Sequence, residues 1–295
     1  MVLKQKIRDW LLEHPSVNPY KISTEKLFHP LRLLSAPLRV LPDFAIIGAA
    51  RCGTTSLYYD LIKHPDVYPG ASKASEFFDH YYEKGTNYYR AHFPTRIYKN
   101  YIVNIKKNNF ITGEATPSYF IEPNLYKRVL ETKPDLKLIA ILRNPIDRAF
   151  SHHNYLVSRN ETKFSNFFDA IKYEEKLIEK NEIKTETEQS IENRSYTILR
   201  RGMYALPLEI LMKNFPNNQI FIIKFEDFSR DPGTIINQIF TFLKLKKIPI
   251  KKPSSLNAVT YDNMDPKVRQ YLINFFKPYN EKLDKLLDKN FDWNK

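Results

Sequence analysis

The chain has few glycines and one cysteine, and it lacks long apolar runs. Cys52 stands alone, which excludes an intrachain disulfide and a cysteine-based metal site. No charge-free stretch reaches the roughly eighteen residues that a membrane span needs, and the uncharged runs of residues 1–41 are too short for a signal-peptide core. We therefore expect a cytoplasmic protein with no transmembrane segment. We favour an N-terminal arm, residues 1–41, packed on the domain over one weakly attached to a membrane surface.

The composition is that of a globular protein with a strongly basic balance. Hydrophobic residues make up 42% of the 295 residues and charged residues 27%, so the chain can bury a core. The net charge of +13 favours an anionic partner such as an acidic polysaccharide, an anionic lipid or a polyphosphorylated nucleotide. The basic residues are dispersed along the chain, which argues against nucleic acid.

Apolar runs alternate with helical patterns over residues 42–295, which we interpret as one domain. The predicted strands are Phe44–Gly48, Phe110–Gly113, Leu136–Leu142 and Gln219–Phe225. The predicted helices are Thr55–Lys63, Pro145–Ser158, Ala205–Asn214, Thr234–Leu243 and Asp265–Leu287. Continuous apolar strands between helices predict an α/β fold, an open parallel sheet of three layers that binds ligands at the carboxyl ends of its strands. The polar segment Glu174–Asn193 is predicted to be an exposed helix or lid.

A phosphate-binding loop follows the first predicted strand. Two of the seven glycines, Gly48 and Gly53, lie five residues apart in Gly-Ala-Ala-Arg-Cys-Gly-Thr-Thr, and a helix follows. Glycine lets the backbone approach a ligand, and a helix start offers N–H groups to an anion. The lysine that follows the second glycine in a nucleotide-hydrolysing P-loop is replaced by Thr54, and the cation is Arg51 instead. This P-loop-like strand, loop and helix indicates a phosphate site unlike that of a kinase, with no metal, and a tight turn without a ligand is the alternative. Cys52 is interpreted as a small filler of the loop.

A second anion site is predicted after the strand Leu136–Leu142. Arg143 lies at the end of that strand, Pro145 opens a helix, and Ser151 lies two turns into it. A guanidinium group can clamp a phosphate through two hydrogen bonds, and a hydroxyl can add a third. For Arg148 we favour an internal salt bridge, with Asp147 or another acidic neighbour. Two strand-end anion sites predict a ligand with two separated phosphate groups.

At this point the chain resembles the sulfotransferases that use 3′-phosphoadenosine 5′-phosphosulfate (PAPS), especially the heparan sulfate N- and 3-O-sulfotransferase branch and its bacterial relatives. The resemblance covers about Asp43 to Trp293. Its pieces are Phe44–Leu57, His64-Pro-Asp-Val, Phe77-Phe-Asp, Tyr88-Tyr-Arg-Ala-His-Phe-Pro, Gly113-Glu-Ala-Thr-Pro-Ser-Tyr and Leu142–Ser151. It implies PAPS as donor, adenosine 3′,5′-bisphosphate as product and no metal. The implied acceptor is a hydroxyl or amine, of a saccharide by preference, and no nucleic acid is expected.

The resemblance also implies roles for individual residues. Those that would hold the 5′-phosphosulfate and its loop are Gly48, Arg51, Cys52, Gly53, Thr54, Thr55 and Ser56. Arg143 and Ser151 would hold the 3′-phosphate. The last cofactor loop of the family resembles Asn257–Tyr261, which assigns Tyr261 to the cofactor, although this loop is basic in the heparan branch and is not basic here.

The catalytic base is where the chain departs from the family. The family has Lys-Glu-x-x-Phe-Phe, and the corresponding carboxylate position is Ala74. Glu76 lies two residues further on, and in an extended chain it would point to the same side as Ala74. We therefore predict Glu76 as the base and Lys73, with Arg51, as the cations that stabilise the transferred and leaving groups, with Glu114 as the alternative base.

Two other functions stay open on the sequence alone. The first is a catalytically impaired relative that binds PAPS or a polyanion, which the alanine at position 74 supports. The second is a P-loop kinase, which the missing loop lysine argues against.

Overall fold

The structure is a computed structural model that describes residues 30–180, 197–250 and 263–294. Within these residues one four-stranded sheet lies at the centre, and all its strands are parallel, in the order β2-β1-β3-β4. The strands are β1 Phe44–Gly48, β2 Gly113–Ala115, β3 Lys137–Leu142 and β4 Ile220–Lys224. The α-helices are α1 Thr54–Leu61, α2 Gly85–Ala91, α3 Arg96–Asn100, α4 Leu125–Thr132, α5 Pro145–Ser158, α6 Phe167–Glu179, α7 Ala205–Asn214, α8 Phe225–Arg230, α9 Pro232–Phe242 and α10 Pro266–Leu287.

The sheet is covered by helices on both faces, which confirms the predicted α/β fold. The helices α1 and α9 contact each other on one face, and α7 contacts both α4 and α10 on the other. Every residue of β1 is buried, and so is every residue of β3 after Lys137. A strand buried on both faces has no polar side to expose, which is why these segments read as continuous apolar runs.

The strand order places a crevice at the carboxyl ends of β1 and β3. From β1 the chain crosses to β2 on one side and later returns to β3 on the other side. Because crossovers between parallel strands are right-handed, the helices of the two crossovers lie on opposite faces, and the loops after β1 and β3 diverge. Both predicted anion sites follow these two strands.

The predicted strand Phe110–Gly113 was displaced from the real one. The strand β2 covers Gly113–Ala115, and Ile111 forms only an isolated bridge with Val67. The N–H of Thr112 donates to Oδ2 of Asp43 at 2.8 Å, so a carboxylate takes the place of a ladder partner there. The predicted apolar run therefore mostly precedes the strand, and β2 itself contains Glu114.

The segment Glu174–Asn193 was predicted to be an exposed helix or lid, and residues 174–179 are indeed helical, but Glu174 is not exposed. Residues 181–196 lie outside the described part of the chain. Glu174 lies in α6, and its side chain is fully buried. Its two carboxylate oxygens accept from the N–H groups of Leu199, at 2.7 Å, and Arg200, at 2.9 Å. An acidic residue in a polar stretch is therefore an internal anchor for the segment before α7.

Of the acidic partners predicted for Arg148, Asp147 is not the one, and the carboxylate that interacts with this arginine through charge is the buried Glu174. Asp147 pairs with Arg269 of α10, whose Nη1 lies 2.8 Å from Oδ1. Arg148 is fully buried, and its Nη2 donates to the carbonyl of Ile198. Successive residues of a helix point about 100° apart, so Asp147 faces α10 while Arg148 faces the interior.

The end of the described chain packs behind the first loop. The ring of Trp293 contacts those of Phe291 and Tyr204, with centroids 4.6 and 5.9 Å away. Lys224, the last residue of β4, donates to the carbonyl of Phe291 at 2.6 Å. Residues 291–293 therefore pack against Tyr204 and against the carboxyl end of β4.

Candidate functional site

The loop between β1 and α1 requires its two glycines. Gly53 has φ of 84°, a left-handed conformation, and a Cβ there would lie 2.9 Å from Cε2 of Phe225. A Cβ on Gly48 would lie 2.5 Å from Cβ of Phe120. At both positions the loop backbone lies directly against an aromatic side chain, at a distance that leaves no room for a Cβ.

Helix α1 starts directly after Gly53 and directs its first N–H groups into the loop. The first N–H groups of a helix have no partner within the helix, and they carry the positive end of its dipole. The side chain of Thr54 is buried, whereas that of Thr55 is partly exposed. Nζ of Lys73 lies 3.4 Å from Oγ1 of Thr55, so the predicted lysine does reach the loop. A loop of this shape is suited to bind an anion.

Arg51 connects the two predicted anion sites. It has φ of 68°, which is uncommon for a residue other than glycine. Its Nε donates to Oγ of Ser151 at 3.3 Å, and its guanidinium carbon lies 4.7 Å from the centroid of the Tyr155 ring. The loop after β1 and the helix after β3 thus meet through this side chain.

Arg143 is held at the end of β3 by contacts on three sides. Its Nη1 donates to the carbonyl of Arg51 at 3.3 Å, and its guanidinium carbon lies 5.0 Å from the centroid of the Phe225 ring. The hydroxyl of Tyr204 donates to the Arg143 carbonyl at 2.8 Å. The next residue, Asn144, caps α5 by accepting from the N–H of Ile146 at 2.9 Å. Two arginines and Ser151 therefore lie together at the crevice.

Cys52 packs inside the loop, as the sequence predicted. It is fully buried, and its Sγ lies 3.7 Å from the Ala50 carbonyl and 3.9 Å from the hydroxyl of Tyr204. Burial raises the pKa of the thiol to about 11, so it stays protonated near neutrality. These contacts argue against a ligand contact through the side chain of Cys52.

Glu114 is the centre of a buried hydrogen-bond network. Its Oε2 accepts from the N–H of Ser75 at 3.0 Å, from Oγ of Ser75 at 2.7 Å and from Oγ1 of Thr116 at 2.7 Å. Its Oε1 accepts from the hydroxyls of Tyr89 at 2.6 Å and Tyr119 at 3.2 Å. Burial raises the pKa of Glu114, although the hydrogen bonds oppose the shift. A carboxylate with five donors and 1% exposure is an anchor, which argues against Glu114 as the base.

The segment that carries Lys73 and Glu76 is fixed to this network. The N–H of Ala115 donates to the carbonyl of Lys73 at 2.8 Å, and Ser75 points inward to Glu114. Glu76 is partly exposed and has φ of 51°, so the chain is not extended there. The argument from strand-like alternation with Ala74 therefore does not hold, and the role of Glu76 as base stays a prediction. Tyr261 lies outside the described residues.

Sequence reasoning missed three aromatic residues of the site. Tyr155 lies four residues after Ser151 on α5, a spacing that places both on one face of the helix and could have revealed it. Phe225 follows β4 and lies against Gly53 and Arg143, and Tyr204 supports the loop from behind. The last two come from segments far along the chain, and their local sequence carries no signal of this proximity.

The part of the chain that the structure describes contains neither a cluster of metal-ligating side chains nor a helix suited to span a membrane. There, no group of three or more His, Cys, Asp or Glu side chains is placed to hold a metal ion. Nor does any described helix combine the length and the apolar character needed to cross a membrane.

Comparison with known proteins decides the family. The family model described as "Sulfotransferase domain" matches residues 41–269, which include both strand-end loops. The chain belongs to the sulfotransferase family. This confirms the predicted resemblance and the prediction of a sulfotransferase enzyme.

The relatives of this sulfotransferase include eukaryotic and bacterial proteins. It is 28% identical to "Membrane-associated sulfotransferase kil1" of Dictyostelium discoideum, over 87% of this chain and 67% of that protein. It is 27% identical to human "Heparan sulfate glucosamine 3-O-sulfotransferase 6", over 89% of this chain and 77% of that protein. Among solved structures, the sulfotransferase from Alicyclobacillus acidocaldarius matches with a TM-score of 0.65 and 28% identity, over 87% of this chain and all of that chain.

Proposed function

We propose that this sulfotransferase moves a sulfuryl group from PAPS to a hydroxyl or amine of a carbohydrate. The observation that carries the donor assignment is the hydrogen bond between Arg51 and Ser151, which joins the phosphate loop after β1 to the second anion site after β3. One nucleotide with phosphates at both ends can therefore contact both sites at once.

The residues present fit such a nucleotide. The two glycines let the loop pack tightly against Phe120 and Phe225, and the start of α1 supplies N–H groups for the 5′-phosphosulfate. Arg143 and Ser151 supply a cation and a hydroxyl for the 3′-phosphate. Phe225, the first residue of α8, offers an aromatic face beside Arg143 against which the adenine ring can stack.

The proposed reaction is an in-line displacement at sulfur. The acceptor oxygen or nitrogen bonds to sulfur while the bond from sulfur to the 5′-phosphate oxygen breaks, and the electron pair of that bond leaves with the phosphate. The acceptor proton passes to a base, which we assign to Glu76. Lys73, which contacts Thr55, and Arg51 stabilise the negative charge on the sulfuryl oxygens and the departing phosphate.

The carbohydrate acceptor is supported by charge and by the relatives. The net charge of +13 favours an acidic polymer over a neutral one. The human relative is by its name an enzyme of heparan sulfate glucosamine. We also keep cytoplasmic location as a proposal, supported by the single, buried cysteine.

The test has a donor arm and an acceptor arm. Calorimetry should show one adenosine 3′,5′-bisphosphate bound per chain, and Arg143→Ala should weaken it, whereas Arg230→Ala on the exposed end of α8 should not. Labelled sulfate from PAPS should then appear on one member of a panel of glucosamine polymers and other saccharides. Nucleotide binding without transfer to any acceptor would favour the impaired relative, which Ala74 supports, and absence of binding would refute the donor assignment.

A further inference from the structure

A helical run with an exposed apolar side follows the short helix α2. Helix α3 continues directly into a π-helical turn, Tyr101–Ile105. Ile97, Tyr101 and Ile105 lie four residues apart, which places them on one side of this run. Ile97 is 72% exposed and Ile105 69% exposed, whereas Ile102 faces the core at 7%. The run is therefore amphipathic, with its second apolar side directed to solvent.

The segment before β1 adds more exposed leucines next to this run. Residues 30–34 are helical, and Leu31 and Leu34, three residues apart, are 59% and 81% exposed. The chain then pairs antiparallel with the residues before α3, through a bridge between Arg39 and Thr95. This register places Leu38, itself 58% exposed, beside the first residue of α3. We call Leu31, Leu34, Leu38, Ile97, Tyr101 and Ile105 the apolar face.

Exposed cations lie at both ends of the helical part of the apolar face. Residues 84–113 contain no Asp or Glu, and neither do residues 30–42. Arg96, Lys106 and Lys107 are exposed in the helical run or directly after it. Lys99 lies near the carboxylate of Asp43, so the argument from charge depends on the other three cations.

We propose that the apolar face binds the surface of an anionic lipid bilayer, with its aliphatic tips in the outer part of the hydrocarbon. Soluble monomers seldom expose aliphatic side chains in so continuous a group. An amphipathic helix with tyrosine and flanking cations is suited to lie in the plane of the lipid headgroups. Each exposed cation adds attraction to anionic headgroups. A polyanionic saccharide would satisfy the cations and leave the isoleucines and leucines in water, so the bilayer is the better match.

The test is sedimentation of the full chain with vesicles of phosphatidylcholine, with or without phosphatidylserine. The protein should sediment with the anionic vesicles, and added salt should weaken that binding. The double variant Ile97→Asn/Ile105→Asn should lower the partition coefficient roughly tenfold or more, because the transfer of even one such side chain from water is worth about that factor. Lys106→Gln/Lys107→Gln should weaken binding to anionic vesicles and abolish most of the difference between the two vesicle types.

The matched control is Leu206→Asn, which changes a leucine of 59% exposure on α7. It should bind vesicles as the unchanged protein does. Nucleotide calorimetry should be unchanged in the double variant, so the outcome is independent of the proposed function. The proposal is overturned if the unchanged protein does not bind vesicles, or if the double variant binds them as strongly as the unchanged protein does. So does a dimer in solution that the double variant abolishes, since the face would then bind a second copy. Binding to a sulfated polysaccharide that the isoleucine substitutions abolish would also overturn it.

Discussion

Arg51 and Ser151, which are 100 residues apart in the chain, are joined by a hydrogen bond of 3.3 Å from Nε to Oγ. Each comes from a different strand end, so the bond is the point at which two separately predicted anion sites become one. We expect Arg51→Ala to raise the Kd for adenosine 3′,5′-bisphosphate about 10–100-fold, because charge-assisted hydrogen bonds are worth about 1.5–3 kcal/mol. Calorimetry measures this change.

The same experiment has a control on the same helix segment. Arg159 follows α5, also faces the Tyr155 ring, and pairs with Glu161 at 2.7 Å. Arg159→Ala should leave the Kd unchanged. A Kd for Arg51→Ala equal to that of Arg159→Ala would show that Arg51 does not contact the nucleotide.

Gly53→Ala should damage the loop through contact with Phe225 as well as through backbone strain. Gly53 and Gly85 both have positive φ, 84° and 76°, but a Cβ on Gly85 would meet nothing within 4 Å. Each variant should therefore lose about 1 kcal/mol or more of unfolding free energy to strain. Only Gly53→Ala should also weaken nucleotide binding. If the two variants weakened binding equally, the close contact between Gly53 and Phe225 would have no role in nucleotide binding.

Glu76 and Glu114 should respond differently to the same substitution. We expect Glu76→Gln to lower kcat by about 10²–10⁴-fold, the usual contribution of a general base, with an unchanged thermal midpoint. Glu114→Gln should instead destabilise the fold by about 1–3 kcal/mol, because an amide cannot accept from all five donors. Exposed Glu83→Gln serves as control. Normal turnover of Glu76→Gln would remove Glu76 from the mechanism.

Glu174 should make the stability of the protein depend on pH. Burial raises its pKa from 4.5 to about 7, although backbone N–H groups and Arg148 oppose the shift. Between these two values the folded state binds the proton more often than the unfolded state does. The free energy of unfolding should therefore fall as the pH rises through this window, by about 3 kcal/mol.

Urea denaturation at pH 5 and pH 8 measures this dependence. Glu174→Gln should flatten it, because the amide carries no proton to lose. Glu179→Gln, at the exposed end of the same helix, should keep the dependence of the unchanged protein. An equal pH dependence in Glu174→Gln and in the unchanged protein would show that Glu174 is ionised throughout.

Cys52 should be inert in the folded protein. Its thiol is fully buried with a pKa of about 11, so iodoacetamide at neutral pH should react only after denaturation. Cys52→Ala should keep sulfuryl transfer. Rapid labelling of the native protein, suppressed by adenosine 3′,5′-bisphosphate, would instead place the thiol on the ligand side of the loop.

The strands β1, β3 and β4 could be predicted because each is a continuous apolar run, and α5 and α7 because their boundaries carry local signals. Pro145 at the first position of α5 is one such signal. The strand β2 was displaced because it contains Glu114, a residue that sequence patterns place outside a sheet. Its burial depends on donors from Ser75, Tyr89, Thr116 and Tyr119, and the first two lie 39 and 25 residues away in the chain.

The candidate site was predictable to the extent that it lies within single strand-to-helix turns. Arg51, Gly53, Arg143 and Ser151 are such residues, and the structure brings them together. The left-handed conformation of Glu76 was not predictable from the local sequence, because the residue before it, Ser75, is fixed by a hydrogen bond to Glu114, which lies 39 residues away in the chain. Tyr204 and Phe225 reach the loop only through the packing of α7 and β4, which no local pattern encodes.

The packing of Trp293 on Tyr204 has a consequence for synthesis of the protein. Tyr204 in turn contacts Cys52 and Arg143, so the back of the phosphate loop is completed by residues translated last among those described. A nascent chain whose residues up to the end of α9 have left the ribosome would already contain Arg51 and Arg143. It would still lack the packing of Trp293 on Tyr204. The capacity to retain nucleotide should therefore appear late, once residues 291–293 have left the exit tunnel.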